Sequence, residues 1–150
     1  MGYEVKGIKF HKGSDGPGVR CSIYRDNKRV ALYYDAGDGS DPTVTGWKSM
    51  DEKAAFDAYV ASWPKFPSFG GRMLAPSVDA VVAEMLVWDE IRKESKKLTL
   101  FRMGDKTYGN DEWSSLNEPY DDRVRARLEH GYNAKEFRVD LIGKMEPDRS

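Results

Sequence analysis

At 150 residues the chain suits one domain, and 39% apolar residues with 12% aromatics describe a folded composition rather than a disordered one. A net charge of −1 excludes a uniformly basic nucleic-acid binder and a uniformly acidic duplex mimic, and leaves only local patches open. Cys21 is the single cysteine, so no internal disulfide can form. With no signal-like or membrane-length apolar run, a reducing cytoplasm is the expected compartment, with no membrane association.

The first third reads as strands. Tyr3 to Phe10 is apolar at intervals, with Gly7 placed for a bulge. His11 to Gly18 (HKGSDGPG) is a turn cluster. Val19, Cys21 and Ile23 then alternate with Arg20, Ser22 and Tyr24, the period of a half-buried strand. Val30, Leu32 and Tyr34 alternate after Asp26-Asn27, which predicts a β-hairpin around a short Asx-rich turn. The loop Asp35 to Pro42 ends it, and Thr43 to Trp47 is a fourth strand.

A capping box opens the first helix: Ser49 caps the amide three residues on, and Glu52 can reach back. Ala55, Phe56, Tyr59, Val60 and Trp63 make one apolar stripe, and Pro64 stops it. Residues 64–76 (PKFPSFGGRMLAP) read as a loop pinned to the core by its aromatics. The second helix starts after Ser77, with Val78, Val81, Val82, Met85, Trp88 and Ile91 on its apolar face. Leu98 to Met103 is a strand, and Trp113 to Leu116 pairs with it across an open polar loop. Asp121 or Asp122 caps a short third helix carrying Val124 and Leu128, with Gly131 as its terminator. Phe137, Val139 and Leu141 alternate in a final strand. Strands come in clusters rather than alternating with helices. The expectation is therefore a single α+β domain of mainly antiparallel sheet, with two longer helices, one short helix and a frayed tail at 143–150.

Catalytic signals are thin. Gly13 to Gly18 lacks the Gly-Lys-Ser/Thr of a phosphate loop, so turn chemistry explains it. Asp35, Asp38 and Asp41 form a metal constellation suited to a metal-dependent hydrolase. Their spacing of three departs from the every-second-residue pattern of a calcium loop, and no metal or cofactor is expected. Cys21 sits mid-strand as a buried thiol, and its pairing with His11 across a hairpin lacks an orienting third group. His130 suits a helix C-terminus. An enzyme is the lesser expectation.

Two patches remain. Arg92, Lys93, Lys96, Lys97 and Arg102 lie close in sequence to Trp88 and Phe101, and basic residues beside aromatics can track a nucleic-acid backbone. Most of these cations also offset a helix dipole. Asp105 to Asp122 has the opposite balance: Asp105, Asp111, Glu112, Glu118, Asp121 and Asp122 against Lys106, with Tyr108, Trp113 and Tyr120 among them, and Asp105, Tyr108, Asp111, Glu112 and Trp113 as the candidate contacts. Aromatics among acids suit a basic protein surface, because rings supply contact area and carboxylates steer encounter.

Three segments, IKFHKGSDGPGVRCSIYRDNKRVALYYDAGDG, FDAYVASWP and LTLFRMGDKTYGNDEWSSLNEPYDDRVRARL, resemble small uncharacterised accessory proteins of tailed phages and prophages. The likeness runs from about Ile8 to Leu128 and consists of segment order, with no catalytic residue to transfer. It implies a product of the infected bacterial cytoplasm, of a kind that often inhibits host proteins such as CRISPR effectors or restriction enzymes. The leading expectation is a non-enzymatic binding protein, with a counter-defence inhibitor as its specific form, that occludes a host or phage protein surface through the loop Asp105 to Asp122. A nucleic-acid-binding module on residues 92–102 is the first alternative, and a metal-dependent hydrolase using the 35–41 loop is the second.

Overall fold

The computed structural model describes residues 2–67, 70–103, 113–144 and 146, and shows an α+β chain of antiparallel sheets and three α-helices. It forms two compact units, one running through Met85 and the other spanning Leu86–Glu146.

The first unit is built on a four-stranded sheet in the order β1-β2-β3-β4, every pair antiparallel: β1 (Tyr3–Gly13), β2 (Gly16–Arg25), β3 (Lys28–Asp35) and β4 (Thr43–Thr45). The turn between β2 and β3 holds Asp26 at φ 50° and Asn27 at φ 64°. Two consecutive left-handed residues match the natural twist of a two-residue hairpin, and Asx residues tolerate them best after glycine. β1 and β2 run deep into the predicted turn cluster, so only Ser14 and Asp15 connect them. The Asp15 amide donates to the Gly37 carbonyl at 2.8 Å, which ties this hairpin tip to the loop after β3.

Alternation sorts the sheet into two faces. Tyr3, Val5, Val19, Cys21, Ile23, Ala31 and Tyr33 are buried on one of them. Helix α1 (Met50–Ala61) contributes to the same core, with Phe56 edge-on to Tyr3 at 5.1 Å and Trp47 at 5.7 Å from Phe56. Its start is as expected in part: Ser49 Oγ accepts from the Glu52 amide at 3.1 Å. The Glu52 carboxylate is instead held by the Arg25 guanidinium at 3.0 Å. The expected pinned loop is partly so. Phe66 stacks on Trp63 at 6.0 Å, and Phe66–Pro67 (β5) pairs with Met73–Leu74 (β6), but Met73 and Leu74 are exposed. Phe69 lies outside the described residues.

Helix α2 (Val78–Ser95) begins in the first unit and ends in the second. Ser77 Oγ caps it by accepting from Ala80, and Val81, Val82, Met85, Trp88 and Ile91 are buried as the periodicity requires. The second unit carries a three-stranded antiparallel sheet in the order β8-β7-β9: β7 (Thr99–Met103), β8 (Ser114–Leu116) and β9 (Ala134–Phe137). Helix α3 (Asp122–Tyr132) completes it, capped by Asp121 Oδ1 on the Val124 amide at 2.8 Å. Phe101, Val124, Leu128, Ala134 and Phe137 form its core, with Leu116, Tyr120 and Val139 packed against it.

Two expectations are corrected here. Gly131 lies inside α3, and the helix ends two residues later, at Asn133 with φ 55°. Asparagine adopts the left-handed cap conformation that the glycine was expected to supply. The last strand stops at Phe137, and Arg138–Leu141 is a 3₁₀ turn. That turn keeps Val139 against the core and brings Asp140 within 3.0 Å of Arg125. At the expected frayed tail, the Lys144 amide donates to Leu141 and the Glu146 amide to Gly143, while residues 145 and 147–150 lie outside the described ones. Among the described residues, no helix is long and apolar enough to cross a membrane.

Candidate functional site

The second face of the β1–β4 sheet is open. Directly paired residues project to the same side, so the register writes out its rows. Glu4, Tyr24 and Arg29 form one row. Lys6, Ser22, Leu32 and Thr45 form the next. Beyond the bulge between Lys6 and Lys9 come Lys9, Arg20, Tyr34 and Thr43. His11 opposite Gly18 closes the series. Lys6, Lys9, Arg20, Arg29, Leu32 and Tyr34 are exposed. Four cations therefore share this face with one carboxylate, Glu4, which lies 3.4 Å from Lys6.

Two rings stand among the cations. Lys6 Nζ sits 4.9 Å from the Tyr24 centroid. Tyr34, 45% exposed, stacks on the His11 ring at 5.6 Å with 11° between planes. His11 can lie this way because Gly18, opposite it, has no side chain. A Cβ there would meet the imidazole at 2.1 Å and the Asp35 carbonyl at 2.6 Å. His11 Nε2 is also 3.2 Å from the Ala36 carbonyl oxygen, which sets the ring plane. The sequence held a signal for this surface: Arg20, Ser22 and Tyr24 are the polar half of the β2 alternation. It did not show that the polar halves of β1 and β3 fall into the same rows.

At one end of the covered face, Arg25, Asp26, Lys28, Val30, Lys48, Ser49 and Glu52 line an open depression of about 490 Å³. Arg25 and Glu52 pair across it, so much of its charge is internally balanced.

Of the residues expected to meet a protein partner, Asp105, Tyr108, Asp111 and Glu112 lie outside the described residues. Trp113 is half-buried just before edge strand β8, with the Arg102 guanidinium 3.9 Å from its ring centroid. Arg102 also approaches Glu136 at 3.7 Å across the β7–β9 pair. It is thus engaged by the second sheet rather than gathered with the helix cations. Arg92, Lys93, Lys96 and Lys97 are exposed at the end of α2, and Lys93 is paired with Asp89 at 2.7 Å.

The catalytic candidates are committed elsewhere. Cys21 is on the covered face at 1% exposure, and burial pushes its thiol up to about 11. His11 projects from the opposite face, so the two do not form a nucleophile and base. Asp35 Oδ1 accepts from the Gly37 amide at 2.9 Å. Asp38 Oδ1 accepts from the amide and hydroxyl of Ser40, which hold its carboxyl below the usual range. Both carboxylates serve as Asx-turn acceptors. Among the described residues there is no group of three or more His, Cys, Asp and Glu that could hold a metal ion. No family model, no curated protein and no solved structure matches this chain.

Proposed function

We propose that this chain is a binding protein that engages a negatively charged macromolecule through the open face of the β1–β4 sheet, in a reducing cytoplasm where its lone thiol stays unpaired. One observation carries the reading: Lys6, Lys9, Arg20 and Arg29 project from one exposed surface against Glu4 alone. Cations gathered on one sheet face attract a polyanion, and the sheet sets the spacing of their backbone positions before the partner arrives. With a net charge of −1, the whole molecule gives no bulk reason for polyanion binding, so retention reports a local patch, and its loss in a sheet-face variant assigns it to this face rather than to the cations at the end of α2. The test is an immobilised heparin column at low salt. The chain is retained and elutes with added salt, whereas Lys9→Glu/Arg20→Glu runs through. A wild-type chain that fails to bind refutes the reading.

A second reading is a protein partner met at β8, in the manner of a phage inhibitor that occludes a host protein. The observation favouring it is the half-buried Trp113 ring held under Arg102, since Trp and Arg are the commonest interface anchors. Trp113→Ala then weakens partner binding without unfolding the chain. Unchanged affinity in a calorimetric titration against the captured partner removes this contact.

A further inference from the structure

We propose that the polyanion is single-stranded nucleic acid, laid across the rows of the open sheet face with bases stacked at Tyr24 and Tyr34. The inference rests on the sheet-face reading above and adds the identity of the partner. Charge by itself does not separate a nucleic acid from an acidic protein. The rings do. Each tyrosine stands beside a cation on the same surface: Lys6 lies over Tyr24, and Arg20 is the direct cross-strand neighbour of Tyr34. A ring paired with a cation matches the alternation of base and phosphate along a strand, where stacking is tolerant of sequence. An acidic polypeptide without aromatic side chains, such as polyglutamate, would use the cations and gain no stacking from the rings.

Tyr34 is also pre-set. His11 backs it in a parallel stack, and the Ala36 carbonyl fixes His11, so a base meets a platform already held in place. From strand geometry, ~3.4 Å per residue and ~4.8 Å between strands, the two tyrosine positions are roughly 14 Å apart, room for several nucleotides. Ser22 and Thr43 add hydroxyls between and beside them.

Shape argues against a duplex. Four strands at ~4.8 Å spacing make a surface roughly 14 Å across before side chains are counted, whereas a B-DNA major groove is about 12 Å wide and takes a helix or a two-stranded ribbon. A duplex also hides the base faces that the tyrosines would use.

The experiment is a fluorescence-anisotropy titration of the full chain with a labelled 15-mer oligo-dT, a duplex of equal length, and polyglutamate, over a salt series. The single strand is expected to bind most tightly, with log K falling against log salt at a slope of up to about −2.8, from four phosphate contacts at ~0.7 each. Lys9→Gln/Arg20→Gln should make that slope shallower by about 1.4. Tyr34→Leu, which keeps apolar bulk and loses the ring, should weaken the single strand roughly five- to 150-fold with the slope unchanged. Circular dichroism confirms that both variants fold. A duplex bound as well as the single strand, or a Tyr34→Leu variant of unaltered affinity, overturns the assignment. Polyglutamate bound more tightly than oligo-dT also overturns it, and leaves the polyanion reading standing. A wild-type chain that binds none of the three removes both.

Discussion

Single residues show how one face of a strand can be inert and the other available. Burial raises the Cys21 thiol to about 11, above the ~8.5 of an unfolded chain. As pH rises, the unfolded state therefore gives up this proton first. The stabilisation is complete below about pH 8.5 and is lost as pH climbs through the folded value. Burial raises the Tyr33 phenol as well, with Asp79 and Asp35 adding to it, so it acts in the same direction at higher pH. Urea midpoints are expected to fall between about pH 9 and 11, less steeply in Cys21→Ala, and a thiol reagent should label Cys21 only when urea is added. Two glycines separate backbone strain from crowding. Gly7 has φ 63° with nothing near its missing Cβ, so Gly7→Ala should cost about 1–2 kcal/mol from conformation alone. Gly18 has no such φ, and Gly18→Ala drives a methyl into His11 and the Asp35 carbonyl, so its cost of about 1–3 kcal/mol is steric. Equilibrium denaturation measures both, and Gly18→Ala should also disturb the Tyr34 stack, read from tyrosine ring NMR shifts.

At the scale of elements, caps and edges set local stability. Ser49→Ala and Asp121→Ala each remove one N-cap acceptor and should each cost about 1 kcal/mol in urea denaturation. The Ser49 cap was legible in sequence, because an acceptor must precede the first apolar-periodic residue, whereas Asp121 and Asp122 both met that condition and the structure chose Asp121. The end of α3 was less legible. A glycine at 131 and an asparagine at 133 both fit a left-handed terminus, and the choice fell to the residue after the Leu128 turn had closed: the Asn133 amide bonds the Leu128 carbonyl. Strand edges follow a similar logic. β1 is an open edge of eleven residues, interrupted by the bulge after Lys6 and lined by Lys6, Lys9 and Lys12. Bulges and lysines protect such an edge from pairing with another chain. By contrast β2 and β3 are flanked on both sides. In native-state hydrogen exchange, the amides of β2 should be among the slowest and those of the three-residue edge strand β8 much faster. Equal protection in the two strands would contradict this ordering.

Across the whole molecule, each unit has an antiparallel sheet and buried apolar residues of its own. Ile23 is fully buried in the first, and Leu128 is 1% exposed in the second. Ile23→Ala and Leu128→Ala should each destabilise by about 2–5 kcal/mol, measured by calorimetry or urea. An effect below 1 kcal/mol at either would mean that residue is not part of a close-packed core. The molecule's near-neutral charge conceals its partition. The covered face of the first sheet takes the apolar half of each strand, and the cations that remain collect on the other face.

Local patterning was sufficient for the α+β class, the hairpin at Asp26-Asn27, the three helix starts and the buried residues of α2. Period, capping chemistry and turn residues act over a few positions, so the chain order exposes them directly. The rows of the open sheet could not be read that way. Lys9, Arg20 and Tyr34 are distant in sequence and become neighbours only when two hairpins fix their register, including a bulge that shifts it. The same holds for the separation of Cys21 from His11 onto opposite faces, and for the capture of Arg102 by Trp113. Strand pairing is non-local and a one-residue slip exchanges the two faces of a strand, so tertiary structure alone decided which side chains share a surface.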